Sequence, residues 1–196
     1  MCIRDRPRDP NGQDLEAIIN DLGLTNEQIL ISIRKMPSSE LSLLYNLADC
    51  TINISDAEGF GLSTLESLAC ETPIIVNMTG GLQEQVTDGQ EWFGFGIEPS
   101  SKSIIGSQDV PYIYEDRVNK DDFINAMVDF YNLTEKERAE LGAKGRKHVL
   151  KNYSMQKYIE NINSEPSGWT PFEKFRNMTP FCENNRSVSY THLTLP

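Results

Sequence analysis

The chain is poor in the side chains that build disulfide frameworks or metal centres. Its 196 residues include four cysteines and two histidines. The cysteines are Cys2, Cys50, Cys70 and Cys182, and no two of them form a CxxC pair. Sparse cysteines without metal-like spacing are typical of proteins from a reducing compartment. We therefore expect a cytoplasmic protein without a metal site.

Positive charge and long apolar runs are also scarce. The chain has 18 Lys and Arg against 29 Asp and Glu, which gives a formal net charge of −11. This balance argues against nucleic acid or an anionic membrane as the main partner. An anionic nucleotide stays open as a ligand, because the amide end of a helix attracts phosphate locally. No apolar run is long enough to cross a bilayer, and no signal-like N-terminus appears.

Short β-branched runs alternate with stretches of helical spacing along most of the chain. Strands are predicted at 29–33, 50–54 and 73–77, and helices at 14–22, 64–70, 119–133 and 134–151. This alternation predicts an α/β fold with a parallel, doubly wound, Rossmann-like sheet in one domain over 13–153. The segments that follow the three strands are Arg34 with Lys35, residues 55–63 and residues 77–81. Because ligands bind such sheets at the carboxyl ends of the strands, we expect these segments to form one site.

The stretch from Glu58 to Glu66 combines a glycine-rich turn with two carboxylates. It follows a predicted strand and opens a predicted helix, so its free amides and the helix dipole favour phosphate. Gly59 and Gly61 let the backbone approach a ligand closely. An ionised carboxylate only accepts hydrogen bonds, so the ligand should also offer hydroxyls, as a nucleoside diphosphate sugar does. The same spacing also fits a capping box, with Ser63 as the N-cap and Glu66 reaching back to it.

Three further segments surround this stretch. They are Tyr45-Asn-Leu-Ala-Asp49, Ala69-Cys-Glu-Thr-Pro-Ile-Ile-Val76 and Thr79-Gly-Gly-Leu-Gln-Glu84. With Glu58 and Glu66 they resemble the E-x7-E motif and its neighbours in retaining glycosyltransferases of the GT-B fold, the "glycosyl transferases group 1" or family 4 type. The resemblance covers about Gln13 to Tyr153 and implies the C-terminal, nucleotide-sugar-binding half of a GT-B fold. Glu71 stands where a glycine is common in that family.

The resemblance also implies roles for single residues. Glu58 would be the catalytic carboxylate, in contact with the transferred sugar near the reacting centre, and Glu66 would bind the ribose hydroxyls. The residues implied in nucleotide-sugar binding are Arg34, Lys35, Phe60, Gly61, Leu62, Ser63, Glu66, Gly80 and Gly81. The backbone over 60–63 would face the sugar and the diphosphate, and the second glycine turn would lie near the diphosphate. The basic pair fits either the place where the family holds the base or a solvated strand end.

The implied reaction is the transfer of a sugar from a nucleoside diphosphate sugar to an acceptor hydroxyl, with retention of configuration. The resemblance implies no metal ion and no cofactor beyond this donor substrate. The implied partners are the nucleotide sugar and an acceptor glycan, lipid or small molecule. An acceptor-binding N-terminal domain, with an Arg and a Lys that clamp the diphosphate, would precede Gln13. We therefore expect this chain alone to turn over little sugar.

Three alternatives stay open at this point. One is a Rossmann-like nucleotide-binding module without catalysis. A GT-B-fold epimerase would convert a nucleotide sugar without any acceptor. In a purely structural fragment, Ser63 and Glu66 would serve only to cap a helix.

The remaining segments carry weaker signals. Residues 98–118 are predicted as a long insertion loop that borders the cleft and affects acceptor choice. In the helix over 119–133, the residues predicted to face inward are Phe123, Met127 and Phe130. His148 is predicted as a surface residue that complements a helix dipole. We expect 1–12 to be a non-native leader and truncated entry, and 154–196 to be an irregular tail with 187–196 non-native.

Overall fold

The computed structural model describes residues 2–4, 13–32, 36–154, 156–157 and 159–160. The chain divides into two compact units, Met1–Leu41 and Ser42–Pro196. The sequence predicted one domain over 13–153, so the boundary between the units falls inside that range.

The first unit contains one parallel strand pair and a helix. Strand β1, Cys2–Arg4, pairs in parallel with β2, Leu30–Ser32. Helix α1, Leu15–Asp21, lies between them in sequence. Asp14 caps α1, because its carboxylate accepts a hydrogen bond from the backbone N–H of Ala17 at 3.1 Å. Helix α2, Ser38–Leu47, begins in this unit and continues into the second.

The second unit is built on a three-stranded parallel sheet. Strand β3, Thr51–Asn53, pairs with β4, Ile74–Asn77, and β4 pairs with β5, Gly94–Ile97. Helix α3, Leu62–Ala69, connects β3 to β4, and α4, Leu82–Val86, precedes β5. A parallel neighbour requires a crossover connection, and α3 and α4 lie in these crossovers. All four residues of β4 are buried, which is expected for a central strand covered on both faces.

Helices cover both faces of this sheet. Side chains alternate between faces along a strand, and β4 follows this rule. Ile74 and Val76 pack with Leu68 of α3 and with α4. Ile75 packs on the opposite face with Ile97 and Phe130. The prediction of an α/β fold with a doubly wound parallel sheet is therefore confirmed.

Two further helices belong to the described part of this unit. Helix α5, Lys120–Asn132, contacts β5, and α6, Glu135–Asn152, contacts α3 and α4. The capping box at Thr134 and Glu137, a motif readable in the sequence, is present at the start of α6. In α5 the inward prediction holds for Phe130, which is 5% exposed, but is wrong for Met127, which is 40% exposed. The residues of α5 that pack in the core are Phe123, Ala126 and Phe130, at intervals of three and four residues. Met127 lies beside this buried stripe.

Residues 98–118 contain an antiparallel hairpin where the sequence predicted a long loop. Strand β6, Ser101–Ile104, pairs with β7, Tyr114–Arg117. Most side chains of both strands are exposed or half-buried. A strand with polar residues on both faces lacks the apolar alternation that marks a strand in sequence, so the pattern gave no signal.

His148 is buried rather than on the surface, contrary to the sequence prediction. It is 8% exposed, and its ring stacks on Phe93 with centroids 4.3 Å apart. Its Nε2 lies 2.9 Å from the carbonyl oxygen of Glu84. Since a carbonyl only accepts, Nε2 carries the hydrogen, and Nδ1 accepts from the amide of Asn152 at 3.0 Å. The residue therefore joins α6 to α4 inside the unit.

Among the helices that the structure describes, none has both the length and the apolar character that a bilayer crossing requires.

Candidate functional site

Two loops meet at the carboxyl ends of β3 and β4. Residues 54–61 follow β3 and carry Glu58, and residues 78–81 follow β4 and end in two glycines. A Cβ atom on Gly80 would stand 1.7 Å from the backbone oxygen of Glu58. A Cβ on Gly81 would stand 2.8 Å from the Cα of Phe60. The loops therefore touch backbone to backbone, and only glycine fits at both positions.

The carboxylate of Glu58 lies beside the end of β3. Glu58 is half-buried, and its Oε2 lies 3.4 Å from the side-chain amide nitrogen of Asn53. The Oδ1 of the same asparagine accepts from the backbone N–H of Ser55 at 3.1 Å and from its hydroxyl at 2.7 Å. Asn53 thus hydrogen-bonds to the start of the loop at Ser55 and contacts the carboxylate of Glu58.

Helix α3 begins at a glycine in the left-handed region. Gly61 is the N-cap residue, with φ 82° and ψ 60°. A side chain there would be strained by this φ and would also meet the Cδ2 atom of Leu82 at 2.5 Å. Leu65 is the first residue whose N–H bonds back to the Gly61 carbonyl, at 3.1 Å. The preceding amides of the first turn have no intrahelical acceptor and point along the helix axis towards the loop.

The capping-box alternative for Ser63 is wrong. Ser63 lies in the first turn of α3, exposed, and Gly61 caps the helix without a side-chain hydrogen bond. The N-cap of α3 is Gly61, which lies two residues before the N-cap position that a Ser63 capping box requires. Glu66 does not bond to the start of the helix but accepts a hydrogen bond from the hydroxyl of Tyr45 at 3.0 Å.

A buried glutamine holds the turn from behind. Gln85 has no exposed surface, and its Nε2 donates to the carbonyl of Phe60 at 2.5 Å and to that of Gly61 at 3.2 Å. Its Oε1 accepts from the hydroxyl of Thr64 at 2.6 Å. The amide of Gln85 therefore ties the glycine turn and the first turn of α3 to α4.

An aromatic contact supports the exposed tip of the loop. Phe60 is 42% exposed, and its ring packs edge-to-face on Tyr153 with centroids 5.8 Å apart. Burial, and then the Glu84 charge, raise the pKa of Tyr153 to about 12. Its hydroxyl therefore stays protonated, and it lies 3.4 Å from the carbonyl oxygen of Glu84. The end of α6 thus contacts the Glu58 loop and α4 through Tyr153.

The structure brings most of the predicted site residues together. Glu58, Phe60, Gly80 and Gly81 share the contact between the two loops, and Gly61 lies beside it against Leu82 and Gln85 of α4. Leu62, Ser63 and Glu66 follow on α3 with exposed side chains. Arg34 and Lys35 lie outside the described residues. Among the residues that the structure describes, no three or more His, Cys, Asp or Glu side chains are grouped as metal ligands.

Sequence reasoning missed residues that hold these loops. Asn53 and Asn77 are the polar last residues of apolar strands, and that position was a usable signal. Gln85 gave no signal, because a single polar residue in a short apolar helix is not distinguishable from an exposed one. Asp116 lies on the hairpin that the sequence predicted as a loop.

The chain belongs to a known family of sugar-transferring enzymes, as the resemblance implied. The pattern of the family described as "Glycosyl transferases group 1" matches residues 9–107, about half of the 196-residue chain. The prediction of a group 1 glycosyltransferase, with the Rossmann-like fold of a GT-B C-terminal domain, is confirmed.

The relatives include several proteins named D-inositol 3-phosphate glycosyltransferase. The one from Acidothermus cellulolyticus is 39% identical over 83 residues, which are 42% of this chain and 18% of that protein. The one from Streptosporangium roseum is 47% identical over 75 residues, 38% of this chain and 17% of that protein. The chain therefore matches less than a fifth of the length of these relatives.

Solved structures share the fold at low sequence identity. Sucrose-phosphate synthase from Thermosynechococcus elongatus has a TM-score of 0.62 and 19% identity, covering 90% of this chain and 38% of that one. A glycosyltransferase from Rickettsia africae has a TM-score of 0.57 and 21% identity, covering 76% and 34%. Anabaena HepE in complex with UDP and glucose has a TM-score of 0.53 and 18% identity, covering 77% and 36%.

Proposed function

We propose that this chain is the donor-binding part of a glycosyltransferase that moves a sugar from a nucleoside diphosphate sugar to an acceptor hydroxyl with retention. The observation that carries the proposal is the backbone contact between the Glu58 loop and the Gly80–Gly81 turn at the start of α3. This contact gathers a carboxylate, two glycine turns and a helix N-terminus at one sheet edge, within a chain of the group 1 family.

Each part of this edge suits one part of the donor. The amides of the first turn of α3 and the glycine turns suit the diphosphate, because they are fixed donors aligned with the helix dipole. Glu66 suits the ribose hydroxyls, and the hydroxyl of Tyr45 orients its carboxylate. An ionised carboxylate offers about four lone-pair sites, so it can accept from Tyr45 and from a ribose together. These assignments follow the E-x7-E motif.

Glu58 suits the transferred sugar. It is half-buried and Asn53 contacts its carboxylate, so its position is defined before the donor binds. In the reaction, the anomeric carbon leaves the phosphate oxygen and bonds to the acceptor oxygen, which releases its proton. The departing diphosphate gains charge, and preorganised donors at the start of α3 stabilise that charge. Removing one such donor costs about 3–4 kcal/mol in known enzymes, so this contribution to the rate is large.

Names of similar proteins support the substrate classes. Anabaena HepE holds UDP and glucose, and another HepE structure holds UDP-glucose. The relatives in bacteria are named for D-inositol 3-phosphate, a polyol phosphate. We propose a nucleoside diphosphate hexose as the donor, and a glycan, lipid or small-molecule hydroxyl as the acceptor, in the cytoplasm.

The test uses the full-length protein that contains this chain. Nucleoside diphosphate hexoses are incubated with and without acceptor alcohols, products are identified by mass spectrometry, and NMR gives the anomeric configuration. Glu58→Gln should lower kcat about a hundredfold or more. Glu66→Gln should raise the donor KM about tenfold, because a charged hydrogen bond to ribose weakens. Glu140→Gln, an exposed change on α6, is the matched control.

Each rival function has its own result in this experiment. Full activity of Glu58→Gln would point to a binding module whose loop has no chemical role. A new nucleotide sugar formed without acceptor would indicate an epimerase. An inverted product would remove the retaining mechanism and leave the sugar transfer.

A further inference from the structure

The hairpin formed by β6 and β7 lies against the loop that carries Glu58. The backbone N–H of Asp116 donates to the carbonyl of Asp56 at 2.7 Å. The guanidinium of Arg117 lies 2.9 Å from the carboxylate of Asp56 and also pairs with Glu115. Asp56 stands two residues before Glu58. The hairpin therefore holds this loop both through the main chain and through charge.

Asp116 reaches the second loop as well. Its carboxylate Oδ2 accepts from the hydroxyl of Thr79 at 2.8 Å, and Thr79 immediately precedes the Gly80–Gly81 turn. Its Oδ1 lies 3.4 Å from the ammonium of Lys102 on β6. Thr79 is 3% exposed, so water competes little for its hydroxyl. One residue of the hairpin therefore contacts both loops of the candidate site, the Glu58 loop through its backbone N–H and the second loop through its carboxylate.

Asn77 completes the connection below the loops. It is fully buried at the end of β4, and its Nδ2 donates to the carbonyl of Ser55 at 2.9 Å and to that of Asp116 at 2.7 Å. Rotating the amide would place its oxygen against two carbonyl oxygens, so its orientation is fixed. Oδ1 is buried without a hydrogen-bond partner in the described part of the chain. The free-energy cost of burying this unpaired oxygen is offset by the two hydrogen bonds of Nδ2, which join the Glu58 loop to the hairpin.

We propose that Asp116 is a positioning residue for sugar transfer. It fixes the loop of Glu58 and the Gly80–Gly81 turn relative to each other, so that the carboxylate and the backbone amides act on one donor molecule. This inference rests on the proposed function. It assigns the hairpin to the donor side, whereas the sequence indicated a role for residues 98–118 in acceptor choice.

The physical reason is the sensitivity of transfer reactions to placement. A displacement of about 1 Å at a reacting group can cost about a hundredfold in rate. Loss of the Asp116–Thr79 bond frees the two loops to shift without removing any group that touches the donor. The rate of the chemical step should then fall more than the affinity for the donor.

The test uses the full-length protein with Thr79→Val, Asp116→Ala, Asp116→Asn and the Thr79→Val/Asp116→Ala pair. Valine keeps the shape of Thr79 and removes its donor. Asparagine keeps an oxygen that accepts from Thr79. Asp109→Ala, in the exposed connection between β6 and β7, is the matched control. Initial rates at varied donor concentration give kcat and KM, and melting curves give the folded fraction that normalises kcat.

Asp116→Ala and Thr79→Val should each lower kcat about tenfold or more, with a smaller change in donor KM. The double variant should lose no more than Asp116→Ala alone, because both changes remove the same bond. Asp116→Asn should recover most of the rate, and Asp109→Ala should match the wild type.

Wild-type kcat in Asp116→Ala or Thr79→Val would overturn the positioning role. Fully additive losses in the double variant, or losses explained by the folded fraction alone, would overturn it too. The failure of the proposed function looks different. A wild-type protein without sugar transfer, or an active Glu58→Gln variant run alongside, would refute the sugar transfer and the positioning role with it.

Discussion

Gln85 shows how a single side chain can define a backbone turn. It has no exposed surface, and the three hydrogen bonds of its side chain are made to Phe60, Gly61 and Thr64. A buried amide is stable only when its polar atoms are paired. Gly61 meanwhile adopts a φ of 82°, which costs glycine little but does not select one conformation. The hydrogen bonds from the amide of Gln85 select the one conformation that the turn adopts.

Gln85→Leu should destabilise the protein and weaken donor binding. Leucine fills a similar volume but leaves the carbonyls of Phe60 and Gly61 without their donor. We expect a loss of about 1–3 kcal/mol in the free energy of unfolding, measured by denaturant titration, and a higher donor KM. Gln90→Leu, in an exposed turn, is the control. Equal stability of the two variants would contradict this role.

Single polar residues mark the limit of sequence reasoning at this scale. Glu58 and Glu66 are candidates from sequence because their spacing resembles a motif. Gln85 is not, because only the fold shows that this face of α4 meets another loop. The alternative of Ser63 as an N-cap depended on a four-residue pattern, and the left-handed Gly61 caps the helix instead. Backbone conformation at a glycine is not encoded in the spacing of its neighbours.

The end of α3 is a contact between two helices as well as a helix terminus. Glu71 follows the helix with φ 63°, in the left-handed region that non-glycine residues seldom adopt. Its carbonyl oxygen faces Gly142 of α6, and a Cβ on Gly142 would stand 1.9 Å from that oxygen. The two helices therefore meet where α6 has no side chain. The close approach explains a glycine inside α6, where helix propensity disfavours it.

Gly142→Ala should destabilise the protein although alanine is the better helix former. In an open helix this change stabilises by about 1 kcal/mol. Here the new methyl group must displace the backbone of Glu71, and such overpacking costs about 1–3 kcal/mol. Denaturant unfolding gives the sign of the change in the free energy of unfolding. The exposed neighbour Ala143 serves as the control for propensity alone, through Ala143→Gly. A stabilised Gly142→Ala variant would show that the helices separate easily.

The capping box of α6 should make stability depend on acidity. The Thr134 hydroxyl, and then its backbone N–H, hold the pKa of Glu137 below its ordinary value of 4.5. A depressed pKa stabilises the folded state above the unfolded value, and this contribution disappears as the pH falls through the folded pKa. Glu137→Gln should therefore melt lower than the wild type near neutral pH, measured by thermal unfolding.

The difference in melting temperature between these two proteins should shrink below pH 4.5 and disappear as the pH falls through the lower folded-state pKa of Glu137. Glu140→Gln on the same helix is the control. The difference in melting temperature between this variant and the wild type should not disappear in the same pH range. A difference for Glu137→Gln that is constant from neutral to acid pH would show that the charge of Glu137 does not contribute to the cap.

Strong local signals predicted the elements well, and weak ones did not. The Thr134 capping box and the β-branched run of β4 are local features, so the sequence indicated them. The β6–β7 hairpin is held by Asp56, Asn77 and Thr79, which are distant in sequence. Its strands carry no alternating pattern of their own, and tertiary contacts decide their conformation.

At the scale of the whole molecule, stability should be unevenly distributed over the second unit. Strand β4 is fully buried and paired on both sides, whereas β6 and β7 pair only with each other among the described residues and are largely exposed. Local opening requires the least energy where few buried contacts must break. The sheet should thus stay closed while the hairpin opens.

Hydrogen exchange of the full-length protein should show this order. Amides of β4 should exchange slowest, and those of the hairpin much faster, because opening the hairpin exposes little apolar surface. A saturating nucleoside diphosphate sugar should slow exchange over 56–63, 79–81 and 114–117 together. Peptides over α5 serve as the internal control and should not change. Protection confined to 56–63 would show that the hairpin does not respond to the donor.

The α/β class followed from the sequence, whereas the boundaries of compact units did not. Alternating strands and helices specify a parallel sheet on their own. The division at residue 41 depends on how many contacts cross it, and no local pattern records that. The net charge of −11 excluded partner classes but did not indicate where the donor binds.

The fit of Gly80 against the carbonyl of Glu58 limits how such enzymes can be recombined. The gap between the two loops is smaller than a methyl group, so neither loop can change its path alone. A chimaera that takes residues 54–61 from one parent must take 78–81 from the same parent. A chimaera built to test the proposed donor site therefore requires both segments of this chain to be inherited as a pair.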